Sequence, residues 1–265
     1  MTGTSGLSDR NSALLFWYQN NSRGLPWRRT TDPYLILVSE VMLQQTRVSR
    51  VVPKYEHFIQ TWPAVGELAG APTEDLLRAW SGLGYNSRAL RLQQAAAIVA
   101  ADGWPNSIPG LQQLPGVGPY TAAAVGSIAL GLDAPAVDTN LRRVLSRWAG
   151  EPLAGRPLTE YAFDVLGHPA GDWNQALMDL GSSVCRTTDP ACSECPVSEW
   201  CLDPAVYEAP PRQASFNGSN RQLRGALVRA HLAGDNLKDV GESLDRSDED
   251  TRSAIETLRA EGLIS

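Results

Sequence analysis

The chain has 265 residues, 43% of them hydrophobic, and a formal net charge of −6. That length serves one large or two modest domains with a real core. No run of eighteen apolar residues offers a membrane span, and the small, polar Met1–Arg10 lacks a basic-then-apolar leader, so a cytoplasmic location is expected. The acidic balance gives no general attraction to a polyanion. Residues 235–265 hold nine acids and four bases, however, so the body is nearly neutral and leaves basic pairs such as Arg28–Arg29 and Arg142–Arg143 available to face one.

In chain order, the pattern is helical almost throughout. Asn11–Gln19 carries an apolar group suited to a short helix, which Leu25-Pro26-Trp27 breaks. Pro33 opens a strongly apolar stretch to Gln45, as proline does at a helix start. Pro53, Pro63 and Pro72 punctuate the next segments. Thr73–Trp80 reads as a helix with Thr73 as cap and acids in its first turn, ended by Gly82 and Gly84. Arg88–Ala101 is an Ala-rich helix. Residues 203–220, rich in Pro, Ala, Ser and Asn, read as a linker. Three short helices are expected beyond it, at Arg221–His231, Leu237–Leu244 and Glu249–Glu261, with Glu261–Ser265 opening a wing strand. Period-two alternation is scarce, so the fold class is all-α.

The four cysteines lie in one segment, Cys185-x6-Cys192-x2-Cys195-x5-Cys201. Four clustered thiols in such a chain point to a metal rather than to disulfides. Structural zinc favours two Cys-x-x-Cys knuckles, and only one is present. A cubane [4Fe–4S] cluster suits the asymmetric spacing better, holding structure rather than supplying the bond-breaking step.

Leu114-Pro-Gly-Val-Gly-Pro-Tyr-Thr121 stands between two helical stretches. Gly116 and Gly118 let the backbone turn and approach another molecule, and the helix from Pro119 offers unpaired N–H groups to a phosphate. An ordinary helical hairpin turn would read the same way. Glu40 lies in an apolar run, where desolvation raises a carboxyl pKa towards that of a neutral-pH general acid; pairing with a helix terminus or an arginine is the plainer alternative. Asp138 precedes the helical Leu141–Arg147 and reads locally as its N-cap, a position that also fixes a catalytic carboxylate.

Ser39-Glu-Val-Met-Leu-Gln-Gln-Thr46, the glycine hairpin, Val137-Asp-Thr-Asn140 and the cysteine loop, in this order, resemble the adenine DNA glycosylase (MutY) family of the endonuclease III, or helix-hairpin-helix, superfamily. Gly82-Leu-Gly-Tyr85 follows the adenine branch too, and the resemblance covers residues 11–203. It implies a two-domain fold: a six-helix barrel at 27–132 carrying the hairpin, and a cluster domain from 1–26 and 133–207, then a linker at 208–220 and a small helical tail at 221–265. It implies base-excision repair: hydrolysis of the N-glycosidic bond of adenine mispaired with 8-oxoguanine or guanine in duplex DNA, by a monomer. Glu40 would protonate N7 of a flipped-out adenine, Asp138 would stabilise positive charge on the sugar, and Tyr120 takes the third active-site position. Arg23, Trp27, Arg28, Leu43 and Gln175 match positions lining the adenine pocket. Gln45 and Tyr85 match residues inserted into the duplex, and Gly116 and Gly118 grip the backbone. Bifunctional relatives carry lysine at the position of Tyr120, so a monofunctional enzyme is expected.

Two departures stand out. Thr139 replaces a glycine common in the adenine branch. The roughly 45 residues after the linker are too few for the Nudix-like domain that reads 8-oxoguanine in many relatives. The alternatives are a thymine or uracil glycosylase acting on G mismatches, opposed by Met42-Leu-Gln-Gln-Thr46, and a non-catalytic iron–sulfur DNA-binding protein, opposed by retention of Glu40, Tyr120 and Asp138.

Overall fold

A computed structural model describes residues 4–207, 209 and 215–265. Residues 208 and 210–214 of the expected linker, and the first three of the polar N-terminus, lie outside the described residues. No described residue forms a strand, and no helix is long and apolar enough to cross a membrane. The chain divides into two compact units, Met1–Glu40 with Trp104–Pro210, and Val41–Gly103 with Pro211–Ser265.

The first unit contains α1 (Thr4–Asn21), a 3-10 turn at Pro26–Arg28, and the start of α2 (Pro33–Leu43), which ends in the second unit. Proline opens α2 as expected, and Tyr34 and Ile36–Glu40 are buried, leaving α2 little solvent face. The second unit continues with α3 (Val48–Thr61), α4 (Val65–Ala69), α5 (Thr73–Trp80) and α6 (Ser87–Asp102). Two expectations fail here. Pro53 lies inside α3, where burial of Val51, Tyr55 and Phe58 outweighs the lost helical hydrogen bond. Thr73 does not cap α5; Pro72, with extended backbone, takes that position and Thr73 is already helical. Phe58 meets Trp62 and Trp80 edge-on at 4.8 and 6.2 Å, joining α3 to α5.

The first unit resumes with α7 (Ile108–Leu111), α8 (Pro119–Ala129), α9 (Thr139–Ala149), α10 (Gly155–Asp164) and α11 (Ala170–Ser183). Its core joins Leu14 to Val144, Leu145, Trp148, Trp173, Leu177 and Leu180. Two glycines set how closely α11 packs. A Cβ on Gly171 would stand 2.8 Å from Ser127 O on α8, and one on Gly181 would stand 2.7 Å from Asn140 Cβ on α9.

The C-terminal residues form three helices, α12 (Asn220–Ala233), α13 (Leu237–Ser243) and α14 (Asp248–Ala260), capped by Ser219, Asn236 and Ser247. They pack around Leu223, Leu227, Val228, Ala254 and Leu258. The expected wing strand is absent. Gly262 turns left-handed, Leu263 N–H returns to Leu258 O at 2.9 Å, and Leu263 and Ile264 are buried, so the apolar end closes α14 instead.

Candidate active site

Glu40, Tyr120 and Asp138 come together in the first unit. Glu40, on the last turn of α2 in that unit, is 5% exposed, and its Oε2 is buried with no hydrogen-bond partner among the described residues. Burial pushes the carboxyl up to about 7, against the smaller opposing pull of the Tyr120 hydroxyl and the Arg28 guanidinium. Tyr120, on the first turn of α8, stands 3.9 Å from Met178 Sδ; burial, then the charges of Glu40 and Asp138, raise its hydroxyl well above the usual value.

Asp138 caps α9 as the sequence indicates. Its Oδ1 accepts from Asn140 N at 2.8 Å and Leu141 N at 2.7 Å, and its Oδ2 from Asn140 Nδ2 at 2.9 Å. Burial raises this carboxyl as well, but the capping bonds and Arg143 oppose the shift. Of the two acids, one is left with an orphan oxygen and the other has both oxygens satisfied. The segment before Asp138 is held by Asn174, fully buried on α11, which accepts from Ala136 N at 2.8 Å and donates to Ala134 O at 2.8 Å and Ser127 Oγ at 2.9 Å.

Three sequence-derived pocket residues of this unit, Arg23, Arg28 and Gln175, join one polar network. Arg28 donates to the Tyr18 hydroxyl at 2.6 Å and to Asp179 Oδ1 at 3.0 Å. Tyr18 donates to Gln175 Oε1 at 2.6 Å. Arg23 grips Asp179 through its backbone N–H at 3.0 Å and its Nε at 2.7 Å. Trp27 is buried in the intervening 3-10 turn. Sequence reasoning misses Tyr18 and Asp179, although Asp179 in Ala176–Leu180 is an acid in an apolar run, the signal that singles out Glu40.

The expected basic patches do not form as pairs. Arg28 is spent on this network while Arg29 is exposed. Arg143 is 4% exposed and donates to Asn140 Oδ1 at 2.9 Å, Gly181 O at 2.6 Å and Cys185 O at 2.7 Å. Its partner Arg142 donates to Leu153 O at 3.0 Å. Arg143 therefore ties the cap of Asp138 to the cysteine loop, because unpaired carbonyls at the end of α11 offer a guanidinium more than solvent does.

Cys185, Cys192, Cys195 and Cys201 line one recess together with Trp148, Leu180 and Val184, and none is in a disulfide. Arg147 Nη1 stands 3.1 Å from Cys185 Sγ. Burial, then mutual repulsion, pushes the Cys201 thiol up to about 11, and burial raises Cys195. Thiols so placed ionise together only around a cation. Among the described residues no three His, Cys, Asp or Glu side chains converge as ligands of a single ion do. Four thiols lining one recess suit a multi-atom cluster.

Gly116 takes left-handed backbone, φ +79°, between α7 and α8. Gly118 is extended, a conformation open to any residue; a Cβ there would meet nothing within 4 Å, leaving open space at the N-terminus of α8. Leu43, Gln45 and Tyr85 belong to the second unit. Leu43 ends α2, while Gln45 and Tyr85 have left-handed backbone at φ +55° and +49°.

Residues 38–164 match the HhH-GPD superfamily of base excision DNA repair proteins. The chain is 42% identical over 245 residues to an adenine DNA glycosylase of Mycobacterium tuberculosis, covering 86% of this chain and 79% of that one. The chain belongs to the adenine DNA glycosylase family. A human adenine DNA glycosylase is 43% identical over 209 residues, 71% of this chain and 38% of that one. Among solved structures, a thermostable thymine-DNA glycosylase shares the fold at TM-score 0.70 and 30% identity, over 76% of this chain and 97% of that one. As a family member the chain is a base excision repair DNA glycosylase, a hydrolase that binds DNA.

Proposed function

We propose that this glycosylase hydrolyses the N-glycosidic bond of adenine mispaired with 8-oxoguanine or guanine, with Glu40 as general acid and Asp138 as the carboxylate that steadies the sugar. The orphan Oε2 of Glu40 carries the assignment. A carboxyl pushed up to about 7 holds a proton near neutral pH, and its buried Oε2 has no protein partner among the described residues, so a ring nitrogen admitted beside it would be the acceptor it lacks. Asp138, hydrogen-bonded through both oxygens, is suited to stay ionised and face positive charge developing on the sugar. Two carboxylates separated by environment in this way can take opposite roles. Tyr120 positions Glu40, and water completes the hydrolysis.

Arg23, Trp27, Arg28, Leu43 and Gln175 are proposed to line the adenine pocket, since the base must leave the stack to meet these groups. Gln45 and Tyr85 are proposed as the wedge left in the duplex, with Gly116 and Gly118 at the phosphate grip. Cys185, Cys192, Cys195 and Cys201 would hold a [4Fe–4S] cluster, which supplies a structural brace when bound. Tyr120 in place of lysine supports monofunctional action. The family's domain division, with a barrel at 27–132, a cluster domain from 1–26 and 133–207, a linker at 208–220 and a tail at 221–265, belongs to the same proposal, as do a monomeric state and a cytoplasmic location.

The competing reading, a thymine or uracil glycosylase, is favoured by the likeness to the thymine-DNA glycosylase structure. The higher identity to proteins named adenine DNA glycosylases supports the adenine reading. Single-turnover excision decides between them. Adenine release opposite 8-oxoguanine or guanine, with none opposite thymine, is expected. Thymine or uracil release with adenine untouched would overturn the assignment. Borohydride trapping of a covalent DNA adduct at lyase-like levels would overturn monofunctional action.

A further inference from the structure

Within the second unit, the C-terminal module reaches the loop that carries Tyr85. Arg221, on the first turn of α12, donates from Nη1 to the Tyr85 hydroxyl at 3.0 Å and from Nη2 to Ser215 O at 3.5 Å. The turn presenting Arg221 is itself built. Gly218 N donates to Gln222 Oε1 at 2.7 Å, and Arg246, just before α14, donates to Gly218 O at 2.7 Å. From the other side, Tyr85 comes after two left-handed glycines, Gly82 and Gly84, and its ring faces the Arg88 guanidinium at 5.6 Å. Tyr85 is thus held at its backbone, its ring face and its hydroxyl, and still remains 36% exposed.

We infer that the α12–α14 module is part of the base-extruding apparatus, and that Arg221 is a positioning residue that presents Tyr85 to the duplex in one orientation. The inference rests on the reading of Tyr85 as the wedge. A ring entering a base stack loses its rotamer freedom, and a hydrogen bond that fixes the ring beforehand removes that loss from the extrusion step. The same bond sets a guanidinium beside the wedge, where it would meet a flanking phosphate, so the module would add a backbone contact without reading sequence. Arg224 is paired with Glu261 at 2.6 Å, and α14 opens with Asp248, Glu249 and Asp250, which would repel a phosphate.

The test uses the full chain and a duplex with 2-aminopurine at the target position opposite 8-oxoguanine, whose fluorescence reports extrusion, alongside single-turnover release of adenine. Arg221→Ala is expected to slow extrusion about five- to tenfold, in line with loss of one partly exposed hydrogen bond of ordinary net strength, and to flatten the salt dependence of binding by about one counterion. Tyr85→Phe, which removes only the hydroxyl, is expected to slow extrusion in the same direction. The double variant should be no slower than Arg221→Ala, and Arg221→Lys should recover part of the salt slope but less of the extrusion rate. Wild-type extrusion in Arg221→Ala, with Tyr85→Ala slowed, overturns the inference and leaves the wedge reading standing. Wild-type extrusion in Tyr85→Ala overturns the wedge reading itself. Additive effects of Arg221→Ala and Tyr85→Phe also overturn the inference, because they show two independent roles, and this holds even where Arg221→Ala lowers thermal stability.

Discussion

Two buried charge-bearing side chains, one in each unit of this glycosylase, are treated in opposite ways. In the first unit, Glu40 has an orphan oxygen and burial moves its carboxyl up to about 7. In the second, Arg88 is 8% exposed and burial lowers its guanidinium to about 10, which leaves it charged at neutral pH; its Nε has no partner among the described residues, but both terminal nitrogens do. Arg88 Nη1 donates to Val41 O and Gln44 O at 2.6 Å, and Nη2 to Leu83 O and Gly84 O at 3.1 and 3.0 Å. A buried carboxyl with an orphan oxygen and a proton near neutral pH suits the proposed general acid. A buried group surrounded by carbonyls, here from the end of α2 and from the Tyr85 loop, is a fastener that holds two left-handed segments together.

Four substitutions or conditions sharpen that contrast. The largest effect is expected for Glu40→Gln, which keeps shape and removes the proton: excision should fall by about 10²–10⁴ with DNA affinity retained. In the wild type, the single-turnover rate should fall about tenfold per unit well above pH 7 as Glu40 ionises, and fall again in acid as Asp138 takes up a proton. A glutamine variant with near wild-type rates would remove Glu40 from the chemistry. Arg88→Met should instead cost about 2–4 kcal/mol of stability, because several carbonyls lose their donor. A urea midpoint unchanged from the wild type would contradict the fastener role.

Asn174→Ala is expected to cost about 1–3 kcal/mol and to slow excision while the Glu40 pH profile stays in place, since it loosens only the segment leading to Asp138. The smallest effect concerns stability against pH. The folded-state pKa of Glu40 lies above its unfolded value, so its contribution is fully present in acid and lost as pH rises through about 7. Glu40→Gln should therefore melt a few degrees, roughly 2–4 °C per kcal/mol, above the wild type at pH 8, and no higher at pH 4. Calorimetry at the two pH values checks the sign.

Much of this was legible in the residues themselves. The apolar run that buries Glu40 on α2, the N-cap at Asp138, the proline openings of α2 and α8, and the four-thiol loop are local facts, set by neighbours within a few positions. The three C-terminal helices were also legible, though their end was not. Leu263 and Ile264 look like strand residues until Leu258 O and the module core claim them.

The tertiary structure decided which side chains compensate which charges. Asp179 joins Arg23 and Arg28 across about 150 positions, Arg143 links the Asp138 cap to Cys185, and Arg221 reaches Tyr85. No periodicity records such pairings. A buried polar group takes whichever partner the packing of distant helices leaves within reach, because desolvation penalises an unpaired group wherever in the sequence its partner lies.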